Sequence, residues 1–393
     1  MKDNLDLKKK GIEAAQTDSK IITLVIGTRP EAIKMAPVYL ALKQKPGLDP
    51  KILLTGQHRE QLAQALKIFD IVADTKLDVM EDRQTLPELA SRIIPGAAEA
   101  LREMKTDYVL VHGDTLTTFA VAWTAFLEGI PVGHVEAGLR SHDLYNPFPE
   151  EANRKLTDTI AELAFAPTSL AKENLIREGK TPKNIFVTGQ TGVDAIRYAS
   201  KKGKLPEAVS EKSPHVVTVT LHRRENWPLL TAIAEMLGKL ASEYAEFEFF
   251  FPVHLNPVVR EAVRPPLENL SNFHLLEPLE YGQMAALLSR SSLIITDSGG
   301  LQEEGAALGV PVAVVREVTE RPEGVDSGII TLVGTEEKKL YLRLKGLLSD
   351  KIKLKQMATS PNPYGDGRAS GRIAQVMAWR FGIGERPADW NSD

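Results

Sequence analysis

The chain has 393 residues, enough for two domains each with its own core, and 43% of them are apolar and 25% charged. A net charge of −4 gives no general attraction to nucleic acid or to an acidic membrane. The absence of cysteine excludes a disulfide framework and thiolate metal sites, in keeping with a cytoplasmic protein.

Residues 1–20 are polar and lack an apolar h-region, so they read as an N-terminal extension and not as a secretory signal. No apolar run reaches the length that spans a bilayer. The first half then alternates strand and helix patterns. IITLVIG (21–27) leads into helical periodicity over 31–43, and KILLTG (51–56), YVLVHGD (108–114), PVGHVEA (131–137) and LAFAP (163–167) read as further buried strands. The second half repeats the plan with IFVTG (185–189), VVTVTLH (216–222), FEFFFPVH (247–254), FHLLEP (273–278), LIITDSGG (293–300) and VAVVRE (312–317). Strands alternating with helices predict doubly wound parallel sheets. The expected α/β architecture is two Rossmann-like domains, 21–184 and 185–370, facing a central cleft, with GKTPKN (179–184) as the turn between them. The segment 371–386 is helical and amphipathic, and residues 371–393 are expected to pack back on the first domain.

Several strand ends carry candidate chemistry. GTRPEAIK (27–34) opens a helix, and Arg29 with the helix N-terminus suits a phosphate; a structural turn with a surface arginine fits equally well. The segment is not GxGxxG, so a dinucleotide reading is poor, and the Tyr-x-x-x-Lys pairs at Tyr39/Lys43 and Tyr341/Lys345 read as helix-face residues. Asp114 ends a strand, where an N-cap is the plainer role. GHVEAGLRSHDLYNPFPEEANR (133–154) holds Glu136 and Glu151 at the two ends of a loop stiffened by Pro147 and Pro149. Three carboxylates gathered together would drive their pKa values apart, leaving one as acid and another as base.

In the second half, LHRREN (221–226) and PVHLNP (252–257) place His222 and His254 at strand ends, where a lone histidine is usually structural. With no HxH, HExxH or Asp-x-Asp, a metal centre is not expected. TDSGGLQEE (296–304) opens a helix with Ser298, Gly299 and Gly300, suited to a diphosphate, and puts Glu304 one turn later for ribose hydroxyls; the alternative is an N-capped helix. TERPEG (319–324), with Arg321, and NPYGDGRAS (362–370) read by themselves as loops.

In chain order GTRPEAIKMAP, TGQHRE, VHGDT, GHVEAGLR with PEEANR, HRREN, PVHLNP, TDSGGLQEE, ERPE and NPYGDG resemble the non-hydrolysing UDP-N-acetylglucosamine 2-epimerases, from about residue 21 to 370. The resemblance implies GT-B architecture and reversible inversion at C2 between UDP-GlcNAc and UDP-ManNAc, with no cofactor. UDP would be eliminated to leave a bound 2-acetamidoglucal and then added back. Asp114, Glu136 and Glu151 match the family's acid/base and charge-stabilising carboxylates, and His222 the histidine beside the leaving diphosphate. Arg29, Ser298, Gly299 and Gly300 would hold the phosphates, Glu304 the ribose, and Lys34 and Arg321 would complete the site. Gln57, Arg83 and His254 match an allosteric UDP-GlcNAc site of some members, although Glu60 stands where strongly activated members carry glutamine. Leu221 and Met284 depart from a small residue and an aromatic often seen in the family. A homodimer, cytoplasmic location and supply of ManNAc to a cell-surface polysaccharide also follow from the resemblance, with no nucleic-acid or membrane partner. The competing readings are a hydrolysing 2-epimerase, a GT-B glycosyltransferase and a sugar-nucleotide sensor. HVEAGLR with PEEANR fits the non-hydrolysing branch better.

Overall fold

The structure, a computed structural model, describes residues 19–56, 59–81, 83–210, 213 and 215–391. Most of the N-terminal extension and the candidate Gln57 lie outside the described residues. The chain divides into two units, the first formed by residues 19–62, 72–188 and 370–391, the second by 63–71 and 189–369.

Unit 1 is built on seven strands, β1 (Lys20–Ile26), β2 (Leu48–Leu54), β3 (Thr75–Lys76), β4 (Tyr108–His112), β5 (Val132–Val135), β6 (Leu163–Ala166) and β7 (Ile185–Val187). They pair in parallel in the order β3-β2-β1-β4-β5-β6-β7. Every residue of β4 and of β5 is buried, as expected of strands covered by helices on both faces. Unit 2 carries β8 (His215–Thr220), β9 (Phe247–Pro252), β10 (Phe273–Leu276), β11 (Ser291–Thr296), β12 (Val312–Val314) and β13 (Ile330–Leu332), also parallel, in the order β10-β9-β8-β11-β12-β13. In each sheet the strand order reverses once, between β1 and β4 and between β8 and β11. Loops leaving the carboxyl ends there run to opposite faces and open a crevice, the usual ligand position in such sheets.

The sequence-based boundaries need adjusting in four places. IFVTG was expected to open the second domain, but β7 pairs with β6 and is the edge of the first sheet, so the division falls after Thr188. The C-terminal segment explains why. Phe186 meets the Trp379 ring at 5.7 Å, Arg386 lies over Phe186 at 4.6 Å, and the Trp390 amide donates to Val187 O at 2.8 Å. The last helix, expected over 371–386, spans Ala369–Arg380 and ends before Gly382, which has a φ of 73°. Residues 63–71 join unit 2 because Phe69 is buried there against Tyr198, with ring centroids 5.1 Å apart, and Lys202 pairs with Asp70. The strands β3 and β13 were not anticipated, since two or three residues carry no alternation to recognise. Among the described residues no helix is long and apolar enough to cross a membrane.

Two glycines of unit 1 should respond oppositely to alanine. Gly138 has a φ of 82°, and an added Cβ would lie 2.2 Å from Ala171 O. Gly371 sits in the last helix with nothing within 4 Å of that position. We expect Gly138→Ala to lose about 1–3 kcal/mol or more, and Gly371→Ala to gain up to about 1 kcal/mol, read as opposite shifts in Tm.

Candidate active site

The loop after β1 is fastened by a buried acid. Glu31, in the first turn of the helix Arg29–Lys43, accepts the Gly27 and Thr28 amides at 2.6 and 2.7 Å and the Thr115 and Thr118 hydroxyls at 2.6 and 3.2 Å. Burial raises its pKa despite those donors. Glu31 thus ties the β1 loop to the β4 loop. Gly27 is required for space: a Cβ would lie 2.4 Å from Thr117 Oγ1. Arg29 and Lys34 lie on this helix.

Glu136 follows β5 in a left-handed conformation, with a φ of 68° that strains a residue bearing a Cβ. Its Oε2 forms an ion pair with Lys34, and His112 Nε2 lies 3.6 Å from the same oxygen. Burial pushes the carboxylate up, but Lys34, His112 and Arg154 outweigh it and hold the pKa at about 2. His112 is itself pushed down to about 3, above all by burial, so at neutral pH it is uncharged and Lys34 is the nearest cation holding Glu136 ionised.

Asp114, in the loop after β4, pairs with Arg154, and its carbonyl accepts from Asn153 Nδ2 at 2.9 Å. Burial raises its pKa, with Glu136 and Glu150 adding to the effect and Arg154 and Lys34 opposing it. Asp114 and Glu136 therefore occupy contrasting electrostatic settings on one sheet edge.

The third predicted carboxylate is differently placed. Glu151 is fully buried and accepts the Ser141 and His142 amides at 3.0 and 3.3 Å, with Arg154 Nη1 at 3.4 Å. It holds the loop closed on the helix Glu150–Ile160. The neighbouring Glu150 keeps a buried oxygen, Oε2, without a hydrogen-bond partner. Farther along that helix, Asp158 binds His134 Nδ1 at 2.6 Å, Arg140 Nη2 at 2.7 Å and the Gly138 amide at 3.2 Å. His134 Nε2 reaches Gly113 O at 2.7 Å, so the β4 and β5 loops share one buried network.

Unit 2 repeats the device. Asp297, fully buried after β11, accepts the His222 amide at 3.1 Å, the Arg223 amide at 3.0 Å and Asn226 Nδ2 at 3.0 Å. This fixes the β8 loop. His222 Nδ1 lies 3.6 Å from Asp297, and burial lowers the pKa of the imidazole although Asp297 opposes it. Ser298 caps the helix Gly299–Ala307 without a side-chain cap bond, and its amide donates to Thr296 Oγ1 at 3.0 Å. A Cβ on Gly299 would lie 2.9 Å from Arg321 Nη1, whereas one on Gly300 would meet open space. Arg321 binds Glu303 at 2.6 Å and lies 3.2 Å from Glu320. Glu304 sits on the same helix.

These strand ends can be set beside known proteins. Residues 40–378 match the family profile for UDP-N-acetylglucosamine 2-epimerase. The UDP-N-acetylglucosamine 2-epimerase of Bacillus subtilis (strain 168) is 44% identical over 94% of this chain and 98% of its own. The chain belongs to the UDP-N-acetylglucosamine 2-epimerase family. The crystal structure of a putative member from Listeria monocytogenes superposes with a TM-score of 0.87 at 40% identity, covering 95% of this chain and 100% of that one. The Neisseria meningitidis UDP-GlcNAc 2-epimerase bound to UDP-GlcNAc gives a TM-score of 0.79 at 42% identity, covering 92% and 100%. The shared fold is the GT-B type, with two Rossmann-like domains.

Within the family fold, the predicted residues fall into separate groups. Arg29, Lys34, Asp114, Glu136 and Glu151 belong to unit 1, and His222, Ser298, Gly299, Gly300, Glu304 and Arg321 to unit 2. Of the allosteric candidates, Arg83 is exposed in unit 1 with a φ of 58°. His254 is exposed in unit 2 and stacks on His222, with centroids 5.7 Å apart. Four further residues carry the geometry: His112, Glu150, Arg154 and Asp297. All lie inside or beside the recognised motifs, but their pairings are tertiary and leave no spacing signal.

The two depressed pKa values set an acid limit on stability. Between about pH 6.5 and 3 the unfolded chain protonates His112 while the folded one does not, and Glu136 adds the same sign below its ordinary 4.5. Each favours the unfolded state as pH falls. The stability difference between wild type and His112→Leu should therefore change by about 1.4 kcal/mol per pH unit between pH 6 and 5, in favour of the variant as pH drops. Urea unfolding across that window checks it; a constant difference would contradict it.

Proposed function

We propose that this protein interconverts UDP-N-acetylglucosamine and UDP-N-acetylmannosamine without releasing free sugar. The observation that carries the reading is the pair of partly buried carboxylates, Glu136 held ionised beside Lys34 and Asp114 raised by desolvation beside Arg154. Inversion at C2 needs a base on one face of the sugar and an acid on the other, and environments that push two pKa values apart supply both roles. Glu136 is assigned the base, Asp114 the acid. UDP leaves across C1–C2 as the C2 proton is removed, giving a bound 2-acetamidoglucal; a proton returns to the opposite face and UDP adds back. Glu150, with its unpartnered oxygen, suits stabilisation of the developing positive charge better than Glu151, whose carboxylate is occupied by loop amides. Glu151 then acts by fixing the loop.

Unit 1 is assigned the carboxylate chemistry and unit 2 the UDP group. In unit 2, Ser298, Gly299, Gly300 and Arg321 are assigned to the diphosphate, Glu304 to the ribose, and His222 to the leaving oxygen; in unit 1, Arg29 and Lys34 are assigned to the substrate's negative charge. The helix N-terminus and the Arg321 guanidinium beside Gly299 support the phosphate assignment. His254, stacked on His222, is the allosteric candidate whose ring touches a proposed active-site side chain.

The reading extends to a cytoplasmic homodimer that supplies ManNAc units for cell-surface polysaccharide. On the helix Leu116–Leu127 of unit 1, Trp123, Phe126 and Leu127 are exposed, and the Trp123 and Phe126 rings stack at 5.6 Å. Three large apolar side chains on one helix support a protein contact. Wild type should sediment at twice the chain mass, and Phe126→Asp with Leu127→Asp should shift it to the single-chain mass. A monomeric wild type refutes the dimer.

Incubation with UDP-GlcNAc in D2O, followed by NMR, tests the reaction. Expected are UDP-ManNAc, deuterium at C2 and little free ManNAc. Stoichiometric ManNAc release would establish the hydrolysing alternative instead. Asp114→Asn, Glu136→Gln and Glu150→Gln should each lower turnover by about 10²–10⁴-fold. Glu151→Gln should lower both turnover and Tm. Turnover near wild type in the Asp114 and Glu136 variants removes the assignment.

A further inference from the structure

Lys34 and His112 converge on one oxygen of Glu136. Lys34 forms the ion pair with Oε2, while His112 Nε2 stands 3.6 Å from it, beyond hydrogen-bond range. Both imidazole nitrogens are buried without a hydrogen-bond partner. Leaving a buried polar nitrogen unmet is unfavourable, and here one faces a carboxylate already held by another group. The other charged or titratable groups acting on this pair are Arg154, Asp114 and His134. Because burial keeps His112 neutral, it can offer Glu136 an N–H but not a positive charge.

We infer that His112 is a positioning residue for Glu136, the neutral donor that closes on Oε2 when the substrate's negative charge draws Lys34 away. This rests on the roles proposed above, Glu136 at the C2 proton and Lys34 on the substrate. The exchange alters the base. Paired with Lys34, Glu136 has little affinity for a proton. Paired with a neutral N–H in a buried site, it keeps its orientation but loses the nearest cation that depressed its basicity. Glu136 then becomes an effective base only with substrate present. The C2 proton goes to Glu136, and His112 transfers none.

The pH dependence of wild type tests this without any variant. The acid limb of kcat/KM reports free enzyme and that of kcat the substrate complex. The kcat limb should lie at higher pH by about one unit or more; limbs that coincide overturn the inference. His112→Leu and His112→Met should lower kcat by about 10- to 100-fold, with KM changed less than about threefold. Their kcat limb should rise by about one further unit, because a carboxylate without a donor holds its proton more tightly. His112→Gln, which can donate an N–H, should return the limb to within about 0.3 units of wild type. An unmoved limb in a folded apolar variant, or a loss confined to Tm, overturns the inference. If Glu136→Gln keeps full turnover, the reading beneath it fails instead.

Discussion

Glu136 is mostly shielded from water, with 11% of its side chain exposed, and a cation stands against it to keep it ionised. Lys34 is that cation, and much of unit 1 is arranged to bring the two together. The Lys34 helix is anchored through Glu31, whose buried carboxylate spans the β1 and β4 loops. The Glu136 loop is anchored through Asp158 and Glu151, which take up the amides and cations of its two arms. Three buried acids thus fix the frame around a fourth, the proposed base. Each alone would be unfavourable in that setting, and each is answered by several donors.

Unit 2 solves a similar problem with fewer parts. Asp297 gathers two successive amides and an asparagine, which orients the β8 loop and leaves the His222 imidazole partly exposed. In both sheets the anchored loops leave strands beside the point where the strand order reverses. Topology therefore decides where the chemistry can be, and buried carboxylate hubs decide how rigidly it is held.

Much of this was legible in the sequence. Apolar runs separated by helical periods identified eleven of the thirteen strands among the described residues, and strand-end motifs marked the loops that the buried acids anchor. What failed to show had physical reasons. β3 and β13 are too short to alternate, and β7 is claimed by the first sheet only because the C-terminal segment packs on it. Glu150 and Glu151 are chemically identical neighbours at a helix start, where successive side chains point about 100° apart. Sequence cannot tell which one turns inward to the loop amides. Likewise, nothing in VHGDT reveals that both nitrogens of His112 lack a partner.

The cations of unit 2 illustrate how a binding surface can be held ready without collapsing on itself. Arg223, Arg316 and Arg321 all lie against Glu320. Partial burial pushes its carboxylate up, but a backbone hydrogen bond together with Arg316 and Arg321 holds the pKa at about 2. Glu320 also lies close to the helix start, since a Cβ on Gly299 would be 3.0 Å from its Oε1. One carboxylate therefore offsets mutual repulsion among three guanidiniums beside amides that favour an anion. On the proposed reading, a diphosphate arriving there competes with Glu320 for Arg321 instead of meeting bare charge. Its binding free energy is then a difference between two anions. That exchange lowers affinity for the ground state, and it mirrors the replacement of Lys34 inferred at Glu136. In both units a resident ion pair would hold the site in order, and substrate charge would release the group that the chemistry needs.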